Sequence, residues 1–248
     1  VPVRDIRKVE DVFGRVKKPY LQKRTNLNLF IGRKEGNLVK EAPDAYGLDG
    51  EPHFYFIHAY NCIYECEYCY LQGYFNSPDL VFYVNHEEIV AEMHQTVKDN
   101  SDAKRVWFHA GEFSDSLALS HITKEWQIYW DFLESNPAAM MELRTKSVNI
   151  KSILQLKPLD NAVVSFSLSP GEALKSYDHK TPSLKGRLKA LASLANSGFK
   201  VALHLDPIID TETLDRDYRL LLQQITQVVK PDQIEYISLG VVRFTKDV

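Results

Sequence analysis

The stretch "FYFIHAYNCIYECEYCYLQGYF", residues 54–75, decides how this chain reads. It begins as an apolar, strand-like run, "FYFIH" (54–58), and becomes a loop holding Cys62, Cys66 and Cys69. These are the only cysteines among 248 residues. Disulfides would leave one thiol over, and nothing in the sequence marks the chain for export. A structural zinc site needs a fourth Cys or a His in paired spacing, and His58 has no second partner nearby. An electron-transfer [4Fe–4S] site normally uses four cysteines. Three packing cysteines in one loop would be an unusual use of thiols. Three thiolates spaced C-x3-C-x2-C suit a cubane cluster whose fourth iron is open to another ligand.

Outward from this loop, short apolar runs alternate with helical patterns. Strands are expected at 54–58, 105–110, 141–145, 162–168, 200–208 and 234–240. Several are apolar at nearly every position, as in strands covered on both faces. Helices are expected over 86–99, 182–197 and 213–229, each with an apolar stripe at i, i+3/i+4 spacing. Asn85 is placed to cap the first, with Glu88 three residues on. Thr181-Pro182 reads as the start of the second and Gly198 as its stop. Alternation of this kind gives parallel strands with helical crossovers. Six units fit, short of the eight of a closed barrel. The expected fold is α/β, a partial (β/α)6 TIM-like barrel over residues 51–248, with the C-terminus incomplete. A basic segment, residues 1–50, precedes it, with an extra strand expected within "NLNLFIG" (26–32).

The net charge of −3 is unevenly spread, because residues 1–40 carry eleven Lys/Arg against four Asp/Glu. The densest patch holds Arg15, Lys17, Lys18, Lys23 and Arg24 around Tyr20. Such a patch suits nucleic-acid phosphates, or is simply a solvated face. No apolar run approaches the roughly 18–20 residues of a membrane helix, so no membrane partner is expected.

The cysteine spacing resembles that of the radical S-adenosylmethionine (SAM) superfamily. That resemblance implies a [4Fe–4S] cluster on Cys62, Cys66 and Cys69, with S-adenosyl-L-methionine on the open iron. It also implies reductive cleavage to a 5′-deoxyadenosyl radical that abstracts a substrate hydrogen. A low-potential electron donor and a reducing, cytoplasmic compartment follow. Within the superfamily, "CEYCYLQ" (66–72), "FYVNHEEI" (82–89), "RTK" (144–146), "SFSLS" (165–169), "TPSLKGRLKAL" (181–191) and "VRFT" (242–245) resemble the spore photoproduct lyases in order. The likeness runs from about residue 18 to the end and lapses over 33–53. It implies that Tyr68 contacts adenine and that Lys146 salt-bridges the SAM carboxylate. It likewise implies that Ser114 and Ser167 hydrogen-bond the cofactor, and that Tyr70 relays a radical or merely packs.

One departure stands out. Those lyases carry a hydrogen-donor cysteine two residues before a Ser-Asp pair. Here the stretch reads "HAGEFSDS", and Glu112 takes that place. "AGEF" is similar to the GGEP-type element of other radical SAM enzymes, which implies that Gly111 allows close approach and Glu112 accepts from the SAM amino group. Arg187 is expected in a structural ion pair, with a reach to the cofactor as the alternative, and His109, His204 and Asp206 as contacts at strand ends, the two histidines facing either the mouth or the core. DNA photoproduct repair is one task that the resemblance implies, but Glu112 in place of the donor cysteine leaves a different substrate, or a donor such as a tyrosine, equally open. The alternatives are RNA, a peptide or a small molecule, or a non-catalytic cluster protein that binds nucleic acid.

Overall fold

The structure, a computed structural model, describes residues 3–6, 27–43, 50–74 and 77–243. The basic patch of Arg15, Lys17, Lys18, Lys23 and Arg24 and the segment "FTKDV" (244–248) lie outside the described residues. The chain runs β1 (Leu29–Gly32), β2 (Val39–Glu41), β3 (His53–Phe56), β4 (Ala59–Tyr60), β5 (Glu65–Cys66), α1 (Leu71–Tyr74), β6 (Leu80–Tyr83) and α2 (His86–Asp99). It continues through β7 (Val106–Ala110), α3 (Ser120–Thr123), α4 (Trp126–Ser135), β8 (Ala139–Thr145), β9 (Ala162–Ser167), α5 (Gly171–Tyr177) and β10 (Asp178–His179). It closes with α6 (Leu184–Asn196), β11 (Lys200–Ile208), α7 (Leu214–Thr226) and β12 (Ile234–Val241).

The main sheet has the order β12-β11-β9-β8-β7-β3-β2. From β3 to β12 every neighbouring pair is parallel. Only β2, on the outer edge of β3, is antiparallel. The six parallel strands expected from the apolar runs are therefore present, in chain order. The extra N-terminal strand is β1, which pairs with β6 in a small separate sheet.

One face of the sheet is apolar and packs on helices. Phe56, Phe108, Met141, Val164, Phe166 and Leu203 meet Ile89 and Met93 of α2, Tyr129 and Phe132 of α4, and Leu191 and Leu194 of α6. Burying each such side chain stabilises the fold by about 1.5–3 kcal/mol. Asn85 does not cap α2 through its side chain. Its Oδ1 accepts from the Lys34 amide at 2.8 Å and its Nδ2 donates to the Lys34 carbonyl at 3.1 Å. The side chain is spent on bridging the β1–β2 connection. The cap of α6 is Ser183, not Thr181, with Ser183 Oγ accepting from the Gly186 amide at 3.2 Å.

The alternate strand positions make a second face, which holds a small apolar cluster of Trp107, Met140, Val163 and Ala202 beside a buried polar network. At its centre is Glu142, 1% exposed. His109 Nδ1 meets its Oε2 at 2.5 Å, and His204 Nε2 and Ser165 Oγ meet its Oε1 at 2.6 and 2.5 Å. Arg144 lies 3.3 Å from both oxygens. His53 joins through His109 at 2.8 Å and stacks on Trp107. His109 and His204 are thus not contacts at the sheet's mouth. They are mid-strand groups held by a buried carboxylate, as buried polar groups must be.

This network sets a pH dependence. Burial alone would raise the Glu142 carboxyl, but Arg144 and His204 hold it well below its ordinary value. Burial, then Arg144, lowers His204, and burial, then His109, lowers His53 to about 4. In each case the unfolded chain takes up protons that the folded chain refuses, so acid destabilises. The histidine contribution is lost as pH falls from about 6.5 towards 4, and that of Glu142 below about 4.5. Thermal melts from pH 8 to pH 4 should show Tm falling steadily below pH 6.5. His53→Phe should flatten the upper part of that decline.

Candidate functional site

The cysteine loop leaves the sheet after β4. Cys62 precedes β5, Cys66 is the last residue of β5, and Cys69 follows, its amide donating to the Cys66 carbonyl at 3.1 Å. The Tyr64 amide donates to Cys62 Sγ at 3.5 Å. None of the three cysteines is in a disulfide. The loop is held across 112 residues by a two-stranded ladder, β5 against β10, that sets Cys66 opposite Asp178. Outside the ladder, Glu65 pairs with Lys180 and Glu67 with His179, each at 2.7 Å.

Beneath the ladder is the firmest contact of the site. Arg187, wholly buried, donates to Asp178 Oδ2 at 2.8 Å, Thr181 Oγ1 at 2.6 Å, the Pro182 carbonyl at 3.0 Å and the Ser167 carbonyl at 3.0 Å. The other oxygen of Asp178 accepts from the Tyr68 hydroxyl. Arg187 is therefore a structural partner, as its position on α6 led us to expect, and the structure it supports is the cysteine loop. Lys146 places its ammonium 5.5 Å from the centre of the Tyr68 ring. Burial would lower this ammonium, but Cys66, Asp178 and Cys69 outweigh it and raise its pKa.

The opposite wall is the loop after β7. Gly111 has φ +85°, and a Cβ there would lie 2.5 Å from Ser116 Oγ and 3.0 Å from the Arg144 carbonyl. Only glycine fits both constraints. Asp115 organises the rest. Its Oδ1 accepts from Leu117 N at 3.0 Å, Ala118 N at 2.8 Å and Thr145 Oγ1 at 2.7 Å. Its Oδ2 accepts from Lys146 N at 2.7 Å, which joins this loop to the end of β8. The Tyr70 hydroxyl donates to the Glu112 carbonyl and lies 3.3 Å from its carboxylate. Phe113 is ringed by Tyr55, Tyr60 and Tyr74 at 5.0–5.8 Å.

Burial raises the thiols: Cys66 goes to about 12, Lys146 opposing the shift, and Cys62 and Cys69 also rise. A metal that binds them must displace their protons. Among the described residues no three His, Cys, Asp or Glu side chains converge on a single metal ion. A cubane asks for something else, since each cysteine ligates a different iron. Three cysteines on one clamped loop, none in a disulfide and with a cation alongside, fit that group.

Of the residues singled out from sequence, Tyr68, Lys146 and Ser167 share the Asp178–Arg187 wall, Ser167 only through its carbonyl. Gly111, Glu112, Ser114 and Tyr70 share the other wall. Asp206 is joined to Arg243 at 3.6 Å. Sequence reasoning missed Asp115, Asp178 and Glu142. Each is a single acid with partners far along the chain, and only Asp115, in its Ser-Asp pair, carried a local signal.

The fold and this loop together define an α/β protein of the kind seen in solved spore photoproduct lyases. One such structure, a variant with bound AdoMet and dinucleoside spore photoproduct, matches with TM-score 0.80 at 22% identity over 88% of this chain and 63% of its own. A second, complexed with dinucleoside spore photoproduct, matches at TM-score 0.77 with the same identity and coverage. The family model for spore photoproduct lyase matches residues 53–248, and the chain belongs to that family. Spore photoproduct lyase of Bacillus subtilis is 25% identical over 191 residues, 76% of this chain and 56% of its own length. That of Clostridium acetobutylicum is 22% identical over 176 residues, 71% and 52% respectively. The chain thus spans about half the length of the curated relatives it matches. No helix among the described residues is long and apolar enough to cross a membrane.

Arg187→Met strands the Asp178 carboxylate in the interior and should cost about 3–5 kcal/mol. Tyr68→Phe removes one hydrogen bond and should cost about 1 kcal/mol. Denaturant melts of both check this order, and equal costs would show that the ion pair is not the anchor. Gly111→Ala should lower Tm by more than either a Gly→Ala change at Gly32 or one at Gly171, where added Cβ atoms meet nothing.

Proposed function

We propose that this chain is a radical SAM enzyme of the lyase type acting on a DNA photoproduct. The observation that carries the reading is the loop of three cysteines, none in a disulfide, clamped by Asp178 and Arg187 with the Lys146 ammonium beside it. Cys62, Cys66 and Cys69 would hold a [4Fe–4S] cluster. When bound and reduced, the cluster supplies the electron that cleaves S-adenosyl-L-methionine to a 5′-deoxyadenosyl radical. Lys146 binds the carboxylate of that cofactor as a point charge. Tyr68, fixed by Asp178, offers its ring to adenine. Gly111 lets the backbone approach closely, and Glu112, Ser114 and Ser167 supply hydrogen-bond partners to the amino group and ribose.

The same wall bears on the substrate. A carboxylate has no S–H bond, so Glu112 cannot return hydrogen to a product radical as a cysteine does. Tyr70 is the O–H group tied to that position, and we assign it as the residue facing the substrate. Support for a DNA substrate comes from the family and from related structures that hold dinucleoside spore photoproduct. Glu112 itself favours a second reading, in which the same radical chemistry modifies RNA, a peptide or a small molecule.

Anaerobic reconstitution with iron and sulfide, then dithionite and S-adenosyl-L-methionine, should yield 5′-deoxyadenosine. A chain with a full cluster that forms none refutes the enzyme reading. Dinucleoside spore photoproduct should then be converted to thymines, whereas deoxyadenosine without restored thymine selects the second reading. Lys146→Ala should weaken S-adenosyl-L-methionine binding by about 10- to 100-fold, the loss of one charge-assisted contact of 1.5–3 kcal/mol.

A further inference from the structure

Behind the cysteine loop lies a second group of polar side chains that the chemistry above does not use. His58, Ser116 and Glu125 are 6%, 1% and 4% exposed. His58 Nδ1 meets Glu125 Oε1 at 3.3 Å. The other atoms of the set, His58 Nε2, Ser116 Oγ and Glu125 Oε2, have no hydrogen-bond partner within the protein. All three residues line one narrow cavity of about 10 Å³, whose wall also includes Cys62, Ser114 and Asp115.

We propose that His58, Ser116 and Glu125 form an internal site for a single ordered water, which ties the loop carrying Cys62 to the start of α4. The chemistry of the three atoms selects this occupant. Glu125 is ionised: burial would raise its pKa, but the hydrogen bond and charge of His58 outweigh burial and lower it. A carboxylate only accepts, so His58 Nδ1 donates to it, Glu125 Oε2 remains an acceptor, and the Ser116 hydroxyl can donate or accept. Water both gives and receives hydrogen bonds, so it meets these two oxygens together with His58 Nε2 in either role, about the three bonds typical of buried waters. The volume is about what a single water needs. Buried polar atoms left unpaired are costly, so the site is worth filling.

The placement gives the water a purpose. Ser116 follows Asp115, the acid that binds the Lys146 amide, and its own amide donates to the Arg144 carbonyl at 3.1 Å. His58 begins the turn into β4 and the cysteine loop, and Glu125 precedes α4. One water therefore joins three segments around Cys62.

The test has two arms. The structural arm needs no cluster: a crystal structure of the full chain at water-resolving resolution, with a second crystal soaked in Tl⁺. A water within hydrogen-bond distance of at least two of the three atoms, without anomalous signal, is the expected result. A dry cavity, direct pairing of the three side chains, or a thallium peak in the cavity overturns the proposal. The second arm rests on the cluster reading. Ser116→Ala and Glu125→Gln should each retain iron roughly 10-fold less well after reconstitution than wild type, as expected when support behind a metal ligand is lost. The exposed control Ser135→Ala should retain it normally. An ordered water with unchanged iron retention in both variants refutes the tie to Cys62. Wild-type protein that takes up no iron refutes the cluster reading and leaves the structural arm standing.

Discussion

The structure around the cysteines depends on one buried ion pair, Arg187 with Asp178. Neither side chain is exposed to solvent. Such a pair gains little net stability over apolar packing, because both charges give up their hydration. What it gives is fixed geometry. Every donor of Arg187 named above is aimed, and its four targets lie on three pieces of chain: the end of β9, β10, and the turn into α6. Asp178 passes this order on to Tyr68, in the middle of the cysteine loop. A short loop with few apolar side chains could not hold three thiols in register by packing alone.

The two walls of the site are built on different principles. The Tyr68–Lys146 wall is assembled from charges and a ring, and its partners lie far apart in the chain. The Gly111–Asp115 wall is local and steric. There the backbone turns tightly under a left-handed glycine, and one carboxylate collects four donors. Both walls meet at Lys146, whose amide belongs to one and whose ammonium belongs to the other. Below them, Glu142 and its histidines sit on the second face of the sheet, so the floor of the site is rigid and charged rather than open.

Much of this was legible in the sequence, and the reason is periodicity. The runs that became β7, β9 and β11 are apolar at nearly every position because the sheet buries both faces, and the stripes of α2, α6 and α7 follow from helices that bury one. The cysteine spacing was legible because thiols are scarce here and clustered. What stayed hidden has a common physical form. Asp178, Asp115 and Glu142 act through partners 9 to 110, 2 to 31 and 2 to 62 residues away. Asp115 left a local signal in its Ser-Asp pair; the other two left no period and no motif. For His109 and His204 the sequence leaves the mouth and the core both open, because a histidine in a strand does not reveal which carboxylate lies across from it. Asn85 had the right identity for a cap and was diverted to a neighbouring backbone.

The β5–β10 ladder also carries a consequence in time. Tyr68 and Asp178 are separated by 110 residues. A ribosome adding about 5–20 residues each second needs roughly 5–20 s to make that interval. Through that window the cysteine loop has emerged without its clamp, and its thiols are open to oxidants and stray metals. The order in which the loop is completed is therefore set by translation itself: the three cysteines come first, and the grip that arranges them arrives only after β9 and α5 have been made.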